Sequence, residues 1–207
     1  MTGKFITFEG IDGSGKSTQL SMLAAKLREL GFDVVTTREP GGTPLGEALR
    51  AAFLETTGPV APMAELLSFA ADRAQHVEFL IKPEVAAGKI VISDRYADAT
   101  FAYQGAGRGF TEEQVNSVIA LATGGLKPDL TLFFDITPAE AIERMSNRPG
   151  ATRNRMDDET AEFYTRVRES YLGIAEREPQ RFIVIDAARS IDEIHAEASE
   201  IVLRLVQ

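Results

Sequence analysis

Five short apolar runs punctuate the chain, and each is followed by a longer stretch whose apolar positions recur at helical spacing. The runs are residues 5–8, 34–37, 90–93, 130–134 and 182–185, and they predict strands. The stretches 17–30, 45–54, 64–87, 112–122, 139–145, 159–176 and 191–205 predict helices. The strands are almost continuously apolar, as strands covered on both faces are. Strands alternating with helices imply βαβ units, so the pattern predicts an α/β/α three-layer fold around a five-stranded parallel sheet with about seven helices. Local chemistry marks several boundaries. Gly31 suits a helix C-terminus, Thr111 with Gln114 reads as a capping box, Pro138 suits a first helical position, and Ser190 suits an N-cap. The last helix carries an apolar stripe of Ile191, Ile194, Ala198, Ile201, Val202 and Leu205, which reads as packing against the sheet, with His195 structural or exposed.

The length, 207 residues, suits one domain, and 44% apolar with 26% charged residues is the composition of a folded chain. No repeat, low-complexity tract or linker divides it. Cysteine is absent and only two histidines occur, which excludes disulfide scaffolds, thiol nucleophiles and Cys or multi-His metal sites. The net charge of -9 argues against a duplex nucleic-acid partner. The run 5–8 is too short for a signal-peptide core and no stretch approaches a membrane span, so the expected location is the cytoplasm, with no membrane partner.

Chemistry concentrates first at Gly10-Ile11-Asp12-Gly13-Ser14-Gly15-Lys16-Ser17-Thr18, which fits G-x-x-x-x-G-K-[ST] between a strand and a helix. Such a P-loop wraps backbone N–H groups around phosphate at a helix N-terminus. Lys16 then reaches the β- and γ-phosphates and Ser17 ligates Mg²⁺, so ATP and Mg²⁺ are the expected cofactors. A P-loop does not choose among GTPases, motors and kinases. Asp94-Arg95-Tyr96-Ala97 lacks the glycine of D-x-x-G and no N-K-x-D occurs, which removes the GTPase reading.

Three features suggest a second anionic substrate. Arg38-Glu39-Pro40-Gly41-Gly42-Thr43 follows the second strand, where parallel sheets bind ligands; alone it is equally a turn with a charge pair. Phe69 and Arg73 share a helix face at i, i+4 spacing, which suits base stacking and phosphate binding but also a core ring beside a surface arginine. Asp94 and Arg95 close the third strand, placed for Mg²⁺ and for phosphate, with Thr100, Tyr103 and Gln104 following for sugar or base; a surface ion pair is the alternative. Between Arg144 and Arg155 lie four arginines, Arg144, Arg148, Arg153 and Arg155, and no acid. With Pro149 and Gly150 there, residues 146–157 read as an arginine-rich lid over transferring phosphate, or as a solvated basic loop or RNA-contact patch. Asp157, Asp158 and Glu159 would orient its arginines, assist Mg²⁺ or favour the next helix's start.

Taken together, these segments closely resemble the bacterial thymidylate kinases, which are P-loop nucleoside monophosphate kinases. The resemblance runs nearly end to end: the P-loop, 38–43, ELLSFAADRAQHV at 65–77, VISDRYADATFAYQG at 91–105 and LKPDLTLFFD at 126–135. It implies transfer of the γ-phosphoryl group of ATP to dTMP, giving dTDP and ADP. It casts Phe69 as the ring stacked on thymine and Arg73 as a ligand of base and acceptor phosphate. Arg38 and Arg95 become phosphate ligands, Thr100, Tyr103 and Gln104 match positions beside the base and sugar, and Glu39 and Pro40 join the substrate-binding residues. Asp12 stands near the 3′-hydroxyl, and Arg189, in the loop 186–190, near the donor adenine. The P-loop holds no arginine, so the resemblance is to the lid-arginine type, with Arg148 and Arg153 joining Lys16, Arg95 and Asp94 as catalytic groups. It also implies a homodimer. A related kinase with another acceptor, such as dUMP or a free deoxynucleoside, and a nucleotide-binding module without turnover are the rival readings.

Overall fold

The five apolar runs become β1 (Lys4–Glu9), β2 (Val34–Arg38), β3 (Ile90–Asp94), β4 (Leu130–Asp135) and β5 (Phe182–Asp186). They form one parallel sheet in the order β2-β3-β1-β4-β5. A computed structural model describes residues 3–147 and 159–207. β1 is central and fully enclosed after its first residue. The chain leaves β1 toward β2 through α1 (Lys16–Glu29), and later crosses from β3 to β4 in the opposite direction through α5 (Ala97–Thr100) and α6 (Glu112–Thr123). Right-handed crossovers of opposite sense place these helices on opposite faces and open a crevice at the carboxyl ends of β1 and β3. The predicted five-stranded parallel α/β fold is therefore the observed one.

The remaining helices are α2 (Pro44–Leu54), α3 (Pro62–His76), α4 (Lys82–Ala86), α7 (Pro138–Ser146), α8 (Ala161–Arg177) and α9 (Ile191–Val206). α9 packs on α1, and α8 packs along β5 and the segment after α5. The predicted caps form. Thr111, Thr137 and Ser190 each make a capping box, and Gly31 with Phe32 closes α1 by N–H bonds to Arg28 and Leu27.

Two features correct the predicted helices. The helix expected over 64–87 runs as α3, a π turn at Val77–Ile81, and α4. Pro83 has no N–H to give the preceding turn, and the wider π turn just before it accommodates that loss. The segment after α5, which lies outside the predicted helices, is a π-helical stretch at Phe101–Gly107. Arg166 of α8 holds its end by donating to the Ala106 and Gly107 carbonyls, and Tyr103 packs against Phe163. Among the described residues no helix is long and apolar enough to cross a membrane.

Polar groups also lie inside the sheet layers. Thr7 and Thr131 are hydrogen-bonded across β1 and β4, and Arg181 binds Asp98 through both terminal nitrogens, at 2.7 and 2.9 Å. Glu9, at the end of β1, is completely buried; its Oε1 accepts from Tyr96 N and its Oε2 from Tyr171 Oη. Burial, with the Asp98 charge added, pushes its carboxyl from the ordinary 4.5 up to about 8.

Asp98→Ala is expected to cost on the order of 3 kcal/mol, because it leaves the Arg181 guanidinium without its bidentate partner. The loss should appear as a lower urea midpoint at unchanged slope, whereas a change under about 0.5 kcal/mol would mean that Glu178 and Thr131 suffice. Glu9 gives a second expectation. Folded protein keeps the Glu9 proton up to about pH 8, while the unfolded chain releases it near 4.5. This contribution to stability is complete below the lower value and is lost as pH rises through the upper one. The stability of the native chain relative to Glu9→Gln should therefore fall between about pH 5 and 8, measured by unfolding at each pH; parallel profiles would refute the buried-acid assignment.

Candidate active site

The phosphate loop fills the turn between β1 and α1, and two glycines make its path possible. Gly10 and Gly13 adopt φ of 143° and 86°. A Cβ on Gly13 would lie 2.5 Å from the Ala141 carbonyl oxygen, and one on Gly10 would lie 2.8 Å from that of Phe134. The loop is thus seated on backbone that cannot retreat. Gly15 caps α1 in the left-handed conformation, and Lys16 is the first helical residue. Lys16 is buried and its Nζ donates to Ile11 O at 3.0 Å, inside the loop. Burial, with repulsion from Arg95, draws its pKa below the ordinary lysine value, against the pull of Asp94 and Asp12. Ser14 is buried, and its Oγ has no partner among the described residues. Thr18 is exposed.

Ser17 Oγ donates to Asp94 Oδ2 at 2.9 Å, which joins the phosphate loop to the end of β3. No group of three or more His, Asp or Glu among the described residues could hold a metal by itself. A hydroxyl and a carboxylate in contact beside an anion cradle nevertheless fit Mg²⁺, which keeps several waters and takes its other ligands from phosphate oxygens.

Arg95 has φ 72°, the one positive value among described residues other than glycine. Its Nη2 lies 3.0 Å from Asp12 Oδ1, 3.0 Å from Tyr103 Oη and 3.3 Å from Gly10 O, while its buried Nε has no partner among the described residues. Burial pushes the Asp12 carboxyl up, and Arg95 and Lys16 together bring it below the ordinary value.

Beside this pair opens a cleft lined by Asp12, Glu39, Pro40, Phe69, Arg73, Arg95, Thr100, Tyr103 and Gln104, all of them expected from the sequence. Arg73 is held at three points: Nε on Glu39 Oε2 at 2.8 Å, Nη1 on Thr100 Oγ1 at 2.7 Å and Nη2 on Tyr96 O at 2.9 Å. The other Glu39 oxygen bonds His76 Nδ1 at 2.9 Å, and His76 Nε2 meets Thr37 Oγ1 at 2.7 Å. Glu39 precedes a cis peptide to Pro40. Gln104 Nε2 donates to the buried Glu65, which Arg108 also grips with two nitrogens. Asp72 Oδ1 accepts from Gly41 N, and burial, reinforced by Glu39, raises its carboxyl from 3.8 to about 6.

The sequence did not single out Arg50, Phe53, Leu54, Asp72 or Ala99, which also line the cleft. Arg50 Nη1 donates to Pro40 O, and Phe53 meets Phe69 edge-on at 4.7 Å. Both lie on α2, which starts directly after the 38–43 loop, and that adjacency was the available signal. Arg38 does not line the cleft; it pairs with Glu47 at 3.0 Å on the surface. Arg189 pairs with Glu197 and donates to Asp186 O, in the loop between β5 and α9. Gln19 Nε2, bonded to Ile191 O at 2.9 Å, ties α9 to the phosphate-loop helix. Arg148, Arg153, Arg155, Asp157 and Asp158 lie outside the described residues, as does most of the lid expected at 146–157. Arg144 is exposed on α7, and Glu159 pairs with Arg108 at 2.6 Å.

Comparison with known proteins agrees with this geometry. A sequence profile of thymidylate kinase matches residues 8–198. A thymidylate kinase of Geotalea uraniireducens is 45% identical over 207 residues, covering 97% of both chains. One from Deinococcus radiodurans is 46% identical over 195 residues, covering 94% of each. The crystal structure of a thymidylate kinase from Ehrlichia chaffeensis superposes with a TM-score of 0.80 at 36% identity, over 98% of this chain and 99% of the other. With the phosphate loop, the β3 turn and the lined cleft all in place, the chain belongs to the thymidylate kinase family of P-loop nucleoside monophosphate kinases.

Proposed function

We propose that the phosphate loop takes ATP with Mg²⁺ and the adjoining cleft takes dTMP, for the phosphoryl transfer from ATP to dTMP that this family performs. The observation that carries the reading is the contact between Asp12 of the phosphate loop and Arg95 of the cleft at 3.0 Å. It makes donor and acceptor sites share a wall, so a γ-phosphoryl group held by one faces a phosphate held by the other.

The acceptor is a phosphate monoester, largely ionised near neutral pH, and needs no strong general base. The work is to align two anions and to offset their repulsion. Lys16 exchanges the Ile11 carbonyl for donor phosphate. Ser17 and Asp94 hold Mg²⁺, which when bound neutralises charge on the donor phosphates. Arg95, through its unpartnered Nε, and Arg50 bind acceptor phosphate. Arg73 keeps a second N–H on each terminal nitrogen for base or phosphate, and its three anchors leave it little freedom to lose on binding. Phe69, braced by Phe53, stacks on the base, Thr100 and Gln104 flank it, and Asp12 with Tyr103 meets the sugar. Arg189 flanks the donor nucleoside. Arg148 and Arg153 are assigned to the transferring group, within a lid at 146–157 of a single kinase domain.

The same reading includes a homodimer. Phe79 on the π turn is 69% exposed and Leu121 on α6 is 85% exposed, with Met63 and Leu67 exposed on α3, which packs against α6. Large apolar side chains this exposed on neighbouring elements suit burial against a second copy.

The test is ADP release from Mg·ATP with dTMP, dUMP, dCMP, dGMP, AMP and thymidine, with products identified by mass. Release that depends on dTMP and yields dTDP is expected, with some leakage to dUMP, because one methyl group is worth only about 1–3 kcal/mol. Release with thymidine and not dTMP would overturn the acceptor assignment. Lys16→Ala should lower turnover by at least about 100-fold in a folded protein. Phe69→Ala should weaken dTMP about tenfold and leave ATP unchanged, since base stacking is worth about 1–3 kcal/mol; equal losses for both nucleotides would remove the stacking role.

A further inference from the structure

Arg95 combines two features that rarely coincide: a functional side chain and a left-handed backbone without the excuse of glycine. That conformation costs roughly 1–2 kcal/mol and persists only where surrounding contacts over-determine it. Here three bonds do so. Arg95 N donates to Phe8 O at 2.9 Å. Ser93 Oγ donates to Arg95 O at 2.8 Å. The next amide, Tyr96 N, donates to Glu9 Oε1 at 2.8 Å. Both peptide groups flanking the strained residue are therefore clamped.

Glu9 is the clamp that most needs explaining. A buried carboxyl is costly, and this one touches no surface. Without it Tyr96 N would be a buried amide with no acceptor, in a turn already under strain. Its second oxygen is engaged by Tyr171 Oη at 2.7 Å, on α8, and the Tyr171 ring is stacked on Phe133 of β4. Glu9 thus joins three parts of the molecule: the strand that leads into the phosphate loop, the turn that carries Arg95, and a helix that braces both.

We infer that Glu9 is a positioning residue for phosphoryl transfer, which with Ser93 holds the left-handed turn that aims Arg95 between Asp12 and Tyr103. This rests on the reading of Arg95 as a phosphate ligand, and it adds that the aim is set from the buried side of the turn. Glutamine at position 9 keeps the acceptor for Tyr96 N and replaces the second contact with one of reversed direction, its amide donating to Tyr171 Oη, whereas alanine has neither.

The experiment is steady-state kinetics, with both nucleotides varied, on the full-length Glu9→Ala, Glu9→Gln, Ser93→Ala and Arg95→Ala proteins and the Glu9→Ala/Arg95→Ala double variant. Glu9→Ala is expected to raise the KM for dTMP and lower kcat/KM for dTMP about tenfold, the scale of a buried donor left unpaired, with the KM for ATP unchanged. Glu9→Gln should return these values to within about threefold of the native chain, since it keeps the acceptor for Tyr96 N and a hydrogen bond to Tyr171 Oη. The double variant should be no worse than Arg95→Ala alone, because the two residues act as one unit. A merely structural Glu9 would reduce the active fraction, leave both KM values alone and multiply with Arg95→Ala; that result overturns the proposal. If Glu9→Ala does not fold, Ser93→Ala decides, with the same rise in the KM for dTMP expected and an unchanged KM overturning it. Native kinetics in Arg95→Ala would instead remove the reading of Arg95 itself, and the inference with it.

Discussion

Most of the site follows from the level at which two neighbouring strands end. β1 and β3 pair in parallel with Phe8 opposite Asp94, so both release their chains at the same height on one edge of the sheet. The phosphate loop starts two residues beyond Phe8, and the Arg95 turn starts one beyond Asp94. Side chains from either segment can therefore meet only across the narrow space between them. Ser17 reaches Asp94, Asp12 reaches Arg95, and Glu9 reaches Tyr96 N. A slip of one residue in this pairing would reverse the face to which each side chain points and separate all three contacts at once.

The charge arrangement depends on that frame. The chain carries -9 overall, yet Arg50, Arg73 and Arg95 line one cleft, and Lys16 lies in the phosphate loop beside it. Burial lowers the pKa of Lys16 and of Arg50, and neighbouring cations add to it: Arg95 at Lys16, and Arg38 with Arg95 at Arg50. Carboxylates separate them: Asp12 and Asp94 beside Lys16 and Arg95, and Glu39 beneath Arg73. Glu39 is itself buried and held on its far side by His76, so the Arg73 guanidinium is oriented before any ligand arrives. Such a site stabilises developing charge without reorganising at the moment of reaction.

The parts legible in the sequence were those governed by local rules. Strand runs, helix caps and the phosphate loop each carry their cause within a few residues, and all of them formed. The stretch Phe101–Gly107 was not legible. Its sequence F-A-Y-Q-G-A-G has two glycines and no apolar period, and its helical turns are held from outside by Arg166 and Phe163 of α8. Glu9 was not legible for a similar reason. A glutamate closing an apolar run carries no local sign of burial, and its partners Tyr96 and Tyr171 lie far along the chain, Tyr171 by 162 residues.

Arg38 and Arg50 show the same limit within the site. Position along β2 decides which residues face the α3 side, because side chains alternate. Thr37 bonds His76 of α3, while Arg38, the next residue, is exposed and pairs with Glu47 of α2. Arg50, on the same helix as Glu47, lines the cleft beside Arg73 and Arg95, and its guanidinium donates to the Pro40 carbonyl. The sequence motif marks the loop; which neighbouring arginine lines the cleft depends on contacts with α2 and Pro40 that the sequence does not display.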